Sequence, residues 1–211
     1  MAAELDGLLD PAQAALVTCE CQNGVLGEEA VFPALAEATR AVDLVARVGG
    51  LVTAARAAGV PVLHCTALRR ADGLGASGNA RLFAAAARSA VPLAPGSAAA
   101  ALHPGIGADP GRDLVLPRLH GLGPFQDTGL ATALRNLGAR TVVCVGVSLN
   151  VALLELVLGA VGAGLRAVLP RDAVAGTPPE YAQQVLRHTL ALVATLTDTA
   201  TVADHWQRLS H

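Results

Sequence analysis

The sequence predicts a doubly wound parallel α/β sheet, and three observations carry that prediction. Short apolar runs of strand length (AALVTC, VPVLHCT, TVVCV, LRAVL) show no polar alternation, as strands covered on both faces do. Stretches with apolar residues at helical spacing lie between them, which is the alternation that builds parallel sheets. The run Thr141 to Val157, TVVCVGVSLNVALLELV, is a strand (Thr141 to Val145), a sharp turn through Gly146, Val147 and Ser148, and then an apolar helix. In open α/β sheets the carboxyl ends of the strands border the ligand crevice, and a helix start beyond one offers free backbone N–H groups.

Taken in order, Pro11 closes a short amphipathic lead-in, and Ala14 to Cys19 is the first strand, closing on Glu20. Gln22, Asn23 and Gly24 form a turn. Pro33 opens a helical segment whose apolar spacing continues from Ala34 to Ala58, with Gly49-Gly50 as a junction and Gly59 as the terminating glycine. Val60 to Thr66 is the second strand. Residues 67–112 combine Arg69, Arg70 and Asp72, a GLGASGN piece, a short Ala-rich helix from Arg81 to Arg88 and a Pro- and Gly-punctuated loop. Such composition suits an excursion that covers a substrate or contacts another subunit.

Asp113 to Leu116 is the third strand, stopped by Pro117, and Phe125 to Leu137 a helix capped by Gly138. Gly159, Gly162 and Gly164 close the helix after the fourth strand, and Leu165 to Leu169 is the fifth strand. Thr177 ahead of Pro178 and Pro179, with Glu180 three residues on, reads as a capping box for a helix reaching about Thr195. Thr199 to Val202 is expected as the last strand, before a polar tail. With no internal repeat, residues 1–211 are expected to form a single domain.

The 211 residues are 53% hydrophobic but only 2% aromatic, so Ala, Val and Leu must build the core. A mean hydropathy of +0.48 suggests that some apolar surface lies in a subunit interface, and a homo-oligomer is expected. A net charge of -2 with scattered basic residues excludes a nucleic-acid partner. All 15 basic residues are arginine, so neither a Schiff base nor a lysine base is possible. Cys19, Cys21, Cys65 and Cys144 fall in or beside buried strands. Cys19-x-Cys21, expected to share one strand face, matches no redox or zinc pattern, and free cysteines point to the cytoplasm. Neither a signal peptide nor a membrane span is expected.

Three strand ends carry groups of interest. Glu20 follows the first, His64 and Thr66 close the second, and Arg118 and His120 follow the third. Glu20 is a proton donor or acceptor, or else half of a structural ion pair, with Arg118 its natural partner either way. His64, beside a cysteine in a strand, reads foremost as a hydrogen-bonded core residue. Neither histidine belongs to an Asp-x-His or His-x-His grouping, so no metal is expected. Gly73-Leu74-Gly75 and Gly121-Leu122-Gly123 lack the strand-to-helix context of a dinucleotide fingerprint, so no cofactor is expected. Asn150 and the N–H groups of residues 148–152 form an anion or oxyanion site by position. Ser148 has no base nearby in sequence to make it a nucleophile.

Four pieces together resemble the isochorismatase-like hydrolase superfamily: LVTCECQNG, GVPVLHCT, VLPRLHGLGPFQDTGL, and VVCVGVSLNVA followed by LRAVLPRDAVAG. The resemblance spans roughly Ala14 to Val202. It implies a three-layer α/β/α, Rossmann-like fold with a six-stranded sheet of order 3-2-1-4-5-6, a tendency to oligomerise, and a cis peptide between Val147 and Ser148. Members typically carry an Asp-Lys-Cys triad. Here the aspartate's place falls on Glu20, the lysine's on or near Arg118, and the cysteine's on Ala152. The further ligand contacts that follow are Gln22, His64, Thr66, His120, Phe125, Val147, Ser148 and Asn150.

These departures bear on mechanism. Thioester chemistry needs a nucleophile at 152, and alanine supplies none. Acid cleavage of a vinyl ether, the reaction of isochorismatase-type members, could use Glu20, yet an arginine beside it cannot relay a proton and favours the carboxylate over the acid. Two readings follow. One is a non-thiol hydrolase acting on a small anionic molecule, by vinyl ether cleavage or similar. The other is an inactive pseudoenzyme that binds a ligand or serves as an oligomeric partner protein.

Overall fold

The computed structural model describes residues 2–209. Six strands form one parallel sheet: β1 (Ala14–Cys19), β2 (Val62–Ala67), β3 (Leu114–Arg118), β4 (Thr141–Gly146), β5 (Arg166–Pro170) and β6 (Thr195–Thr197). Their order is β3-β2-β1-β4-β5-β6. The helices are α1 (Ala2–Leu8), α2 (Asn23–Leu26), α3 (Pro33–Ala41), α4 (Leu44–Ala57), α5 (Arg81–Ala87), α6 (Leu130–Asn136), α7 (Ala152–Gly162), α8 (Pro179–His188) and α9 (Thr199–Leu209). Among the described residues no helix is long and apolar enough to cross a membrane.

The sheet divides two apolar cores, giving three layers. Ala14 and Leu16 of β1 face the core built with α4 and α9, where Leu44, Val48, Leu51, Val202 and Trp206 meet. Ala15, Val17 and Cys19 face the core of α6, α7 and α8, around Leu134, Leu153, Leu156 and Leu186. The sheet is covered on both faces, so β1 and β4 are buried at every position and apolar except at Thr18 and Thr141. The chain runs outward from β1 to β3, then returns to lay β4 on the other side of β1. The reversal opens a crevice beyond the carboxyl ends of these two strands.

Several elements depart from expectation. The long helical segment breaks at Val42-Asp43, where Asp43 takes φ 51°, and not at Gly49-Gly50. Gly49 instead lets the turn Pro104–Ile106 approach α4, since a Cβ there would lie 2.4 Å from the Gly105 carbonyl oxygen. Pro117 does not stop β3 but lies within it, which an edge strand tolerates because one face of its ladder is unpaired. The segment from Phe125 becomes helical only at Leu130. Positive φ at Asp127 and Gly129 and a Thr128 hydroxyl bonded to the Pro124 carbonyl hold 125–129 as a loop. Gly159 is interior to α7 and packs against Phe125.

No capping box forms at Thr177. Pro179 at N1 keeps Pro178 extended (φ −64°, ψ 150°), so Pro178 is the N-cap and makes no side-chain bond. The helix ends at His188, and the sixth strand is Thr195–Thr197. Residues 199–202, expected as that strand, open α9, whose first turn is capped by Asp198 accepting from the Thr201 N–H at 2.8 Å. Val202 and Trp206, four apart, seat this helix in the core, and the Trp206 indole donates to the Leu9 carbonyl at 3.0 Å.

Candidate active site

Glu20 sits just past β1 with φ 54°, left-handed backbone that costs a non-glycine residue about 1 kcal/mol or more. Its N–H bonds the Cys65 carbonyl at 2.8 Å, and its own carbonyl accepts from Gln22. The twist has a second effect. Cys19 enters one core and Cys21 the other, so the two do not share a face as a continuous strand would require.

Arg118 ends β3, and its Nη2 forms an ion pair with Oε1 of Glu20. The two side chains are only 7% and 13% exposed. Nη2 also donates to the Leu122 carbonyl at 3.3 Å, whereas Nε and Nη1 are buried without a hydrogen-bond partner. Burial works against the Arg118 charge, but Glu20, with Cys19 and Cys65 beside it, outweighs burial, and the guanidinium pKa is raised. An arginine held so is a fixed cation with donors to spare.

The third side comes from the β4–α7 turn. Gly146 takes φ 109°, and a Cβ there would lie 2.3 Å from the Cys19 carbonyl oxygen, so only glycine lets β4 turn against β1. The Val147–Ser148 peptide is cis, where the resemblance places one. Asn150 donates from Nδ2 to the Thr177 carbonyl at 3.1 Å, leaving its buried Oδ1 unpartnered. Ala152 is the first residue of α7.

These groups line one cavity of about 440 Å³, with Glu20, Arg118, His120, Ser148, Asn150 and Ala152 all on its wall. The other sequence-derived ligand contacts do not line it. Gln22 is buried and donates to the carbonyls of Ala67 and Ala100 at 2.9 and 2.8 Å, clamping the two ends of the excursion. His64 is in the core, with Nδ1 2.8 Å from Thr18 Oγ1 and Nε2 3.1 Å from Asp113 Oδ2. Thr66, Phe125 and Val147 are buried away from the cavity.

All four cysteines are free, fully buried and absent from the cavity wall. Burial pushes the thiols of Cys21 and Cys65 up to about 12, and burial followed by the Glu20 charge raises Cys19 as well. Burial raises Cys144 too. None is poised as a thiolate nucleophile. Among the described residues, no group of three or more His, Cys, Asp or Glu could hold a metal ion.

Sequence reasoning missed Arg69, Phe83 and Thr177 on the wall. It also missed Glu155, whose Oε2 accepts from the Phe125 N–H at 3.0 Å and pins the β3–α6 loop to α7. Its signal was legible: Glu155 is the lone charge in ALLELVLGAVG.

The fold agrees with what is found in known proteins. A cysteine hydrolase from Pseudomonas syringae pv. phaseolicola 1448A superposes with a TM-score of 0.80 at 23% identity, covering 94% of each chain. An isochorismatase family protein from Desulfovibrio vulgaris subsp. vulgaris str. Hildenborough gives 0.75 at 23% identity, covering 91% of this chain and 97% of its own. One from Burkholderia thailandensis gives 0.73 at 24%, covering 93% and 96%. At these identities the likeness shows the fold alone. No curated protein matches the chain. The family model described as Isochorismatase domain matches residues 14–201, all six strands and the helices from α2 to α8. By that match the chain belongs to the isochorismatase-like hydrolase family.

Proposed function

We propose that this chain is a non-thiol hydrolase acting on a small anionic molecule held in the crevice. The observation that carries the reading is a cavity wall that joins Glu20, Arg118 and residues 148–152 yet includes no thiol. Ala152 leaves room where a nucleophile would stand, and water fills that part. The ion-paired Glu20 carboxylate is a proton acceptor. It takes a proton from water as the water oxygen bonds to the substrate's acyl carbon, then returns it to the leaving group as the bond between acyl carbon and leaving group breaks. Arg118 and Asn150 hold the substrate's polar end. A vinyl ether, whose cleavage needs a proton donor, fits this arrangement less well than an ester or amide.

The engagement of Glu20 by Arg118 favours a second reading, a pseudoenzyme that binds without turnover. The experiment compares wild type with Glu20→Gln on a panel of small carboxylated esters, amides and vinyl ethers. The hydrolase reading expects turnover reduced at least about 100-fold in the variant, with no acyl-protein adduct by intact mass. Equal turnover by the two proteins removes Glu20 from the reaction, and binding without turnover selects the pseudoenzyme. Homo-oligomerisation belongs to the same proposal. It is supported by edge strand β3, which exposes Leu114 and Val115, and light scattering tests it.

A further inference from the structure

Helix α5 is placed unusually. Its sequence RLFAAAA is apolar after the first residue, yet none of its residues is buried. Leu82 and Phe83 lie four and three residues before Ala86, which puts the three on one face, and that face lines the crevice. Val25, Val31 and Leu93 line it as well. An apolar helix face ordinarily packs on protein, but this one borders open volume.

Val25 and Leu93 pack on the core, and polar links hold the segments around α5. The Gly121 N–H donates to the Ser77 hydroxyl at 3.1 Å, the Arg69 N–H to the Leu93 carbonyl at 2.8 Å, and Asn23 Nδ2 to the Ala98 carbonyl at 2.9 Å. Polar groups concentrate instead at the strand ends, where Arg118 keeps two buried donors unpartnered. An apolar cavity with a few convergent polar groups is the usual form of a small-molecule site.

We propose that the crevice selects an amphipathic ligand. A single polar head lies at the strand ends, and a flexible apolar body of about six to ten carbons lies beneath α5. The inference rests on the reading of the crevice as a ligand site and names the class of molecule that fills it. Leu82, Phe83 and Ala86 set the length and girth accepted. Each methylene that passes beneath α5 leaves water and covers apolar wall.

Isothermal titration of the full chain with the n-alkanoates and the n-alkanamides from four to ten carbons tests this. Affinity is expected to rise about four-fold per added methylene, the transfer free energy of one buried CH₂. Phe83→Ala should weaken the ten-carbon ligand about ten-fold and leave the four-carbon one unchanged. Ala86→Phe should exclude the longest chains while keeping the short ones. Because no residue of α5 is fully buried, both variants should stay folded, as their melting curves would show. Affinity that is flat along both series, or a ten-carbon ligand indifferent to Phe83→Ala, overturns the inference and leaves the ligand-site reading standing. No binding in either series overturns both. A rise among the amides alone keeps the apolar body and overturns the anionic head.

Discussion

Strand β3 carries an arginine–carboxylate pair at each end, and the two are built differently. At its amino end Asp113 takes both Arg56 Nε, at 3.0 Å, and Arg56 Nη2, together with the Asp109 N–H at 2.8 Å and His64 Nε2 at 3.1 Å. Burial lowers the His64 pKa, so the ring is neutral. Its Nε2–H then donates to Asp113 while Nδ1 accepts from the Thr18 hydroxyl. At the carboxyl end Arg118 meets one oxygen of Glu20 and leaves Nε and Nη1 unpartnered beside a cavity. The first pair is saturated and locks β1, β2 and β3 together. The second is incomplete as a structural brace, because two of its donors are buried without a partner. Saturation, not burial or charge, separates the two pairs.

The largest test of this contrast is Asp113→Asn. It strands Arg56 and His64 and should cost about 3–5 kcal/mol, read from urea denaturation. Glu20→Gln should cost far less; equal losses would erase the distinction. Acid should sharpen the contrast next. Burial alone would raise the Asp113 pKa, but Arg56, the Asp109 N–H and His64 bring it down to about 2. A depressed carboxylate stabilises above its unfolded value near 4 and loses that contribution as pH falls toward 2, here about 2 kcal/mol. His64 acts in the same direction from about pH 6.5 downward, because the unfolded ring takes up a proton that the folded one resists. Stability measured against pH should therefore fall on both counts, and the carboxylate step should vanish in Asp113→Asn.

Glu155→Ala releases the Phe125 N–H and should cost about 1 kcal/mol of stability. The loop carrying Leu122, which accepts from Arg118, loosens with it, so affinity in the crevice should also drop. The smallest effect belongs to Ala152→Cys. It restores a thiol but neither an aspartate at 20 nor a lysine at 118, and it should yield no robust amidase activity. Strong hydrolysis of nicotinamide by this variant would show that the crevice retains a working thiol site.

The central strands were legible because burial on both faces leaves an unbroken apolar run, and β1 begins and ends as the sequence suggests. The periphery was not. TLTDTATVADHW holds β-branched residues on both sides of Asp198, and only the cap bond to Thr201 separates a three-residue strand from a helix start. At the site, strand-end position and the family resemblance together marked Glu20 and Arg118. His64 occupies an equally suggestive position but is sealed off by Asp113, a partner 49 residues away whose contact depends on the register of β2 with β3. The excursion 67–112 read as a cover for a substrate or a subunit contact, but which residues of α5 line the cavity did not, because none of them is buried in a core.

That last property separates two demands a protein usually has to satisfy with the same residues. Substitutions at exposed positions of a helix with no fully buried residue change folding free energy by only about 0.5 kcal/mol, yet Leu82, Phe83 and Ala86 line the cavity. Descendants of this chain are thus free to trade one guest for another without first acquiring spare stability, and their appetites should diverge fastest along residues 82–86.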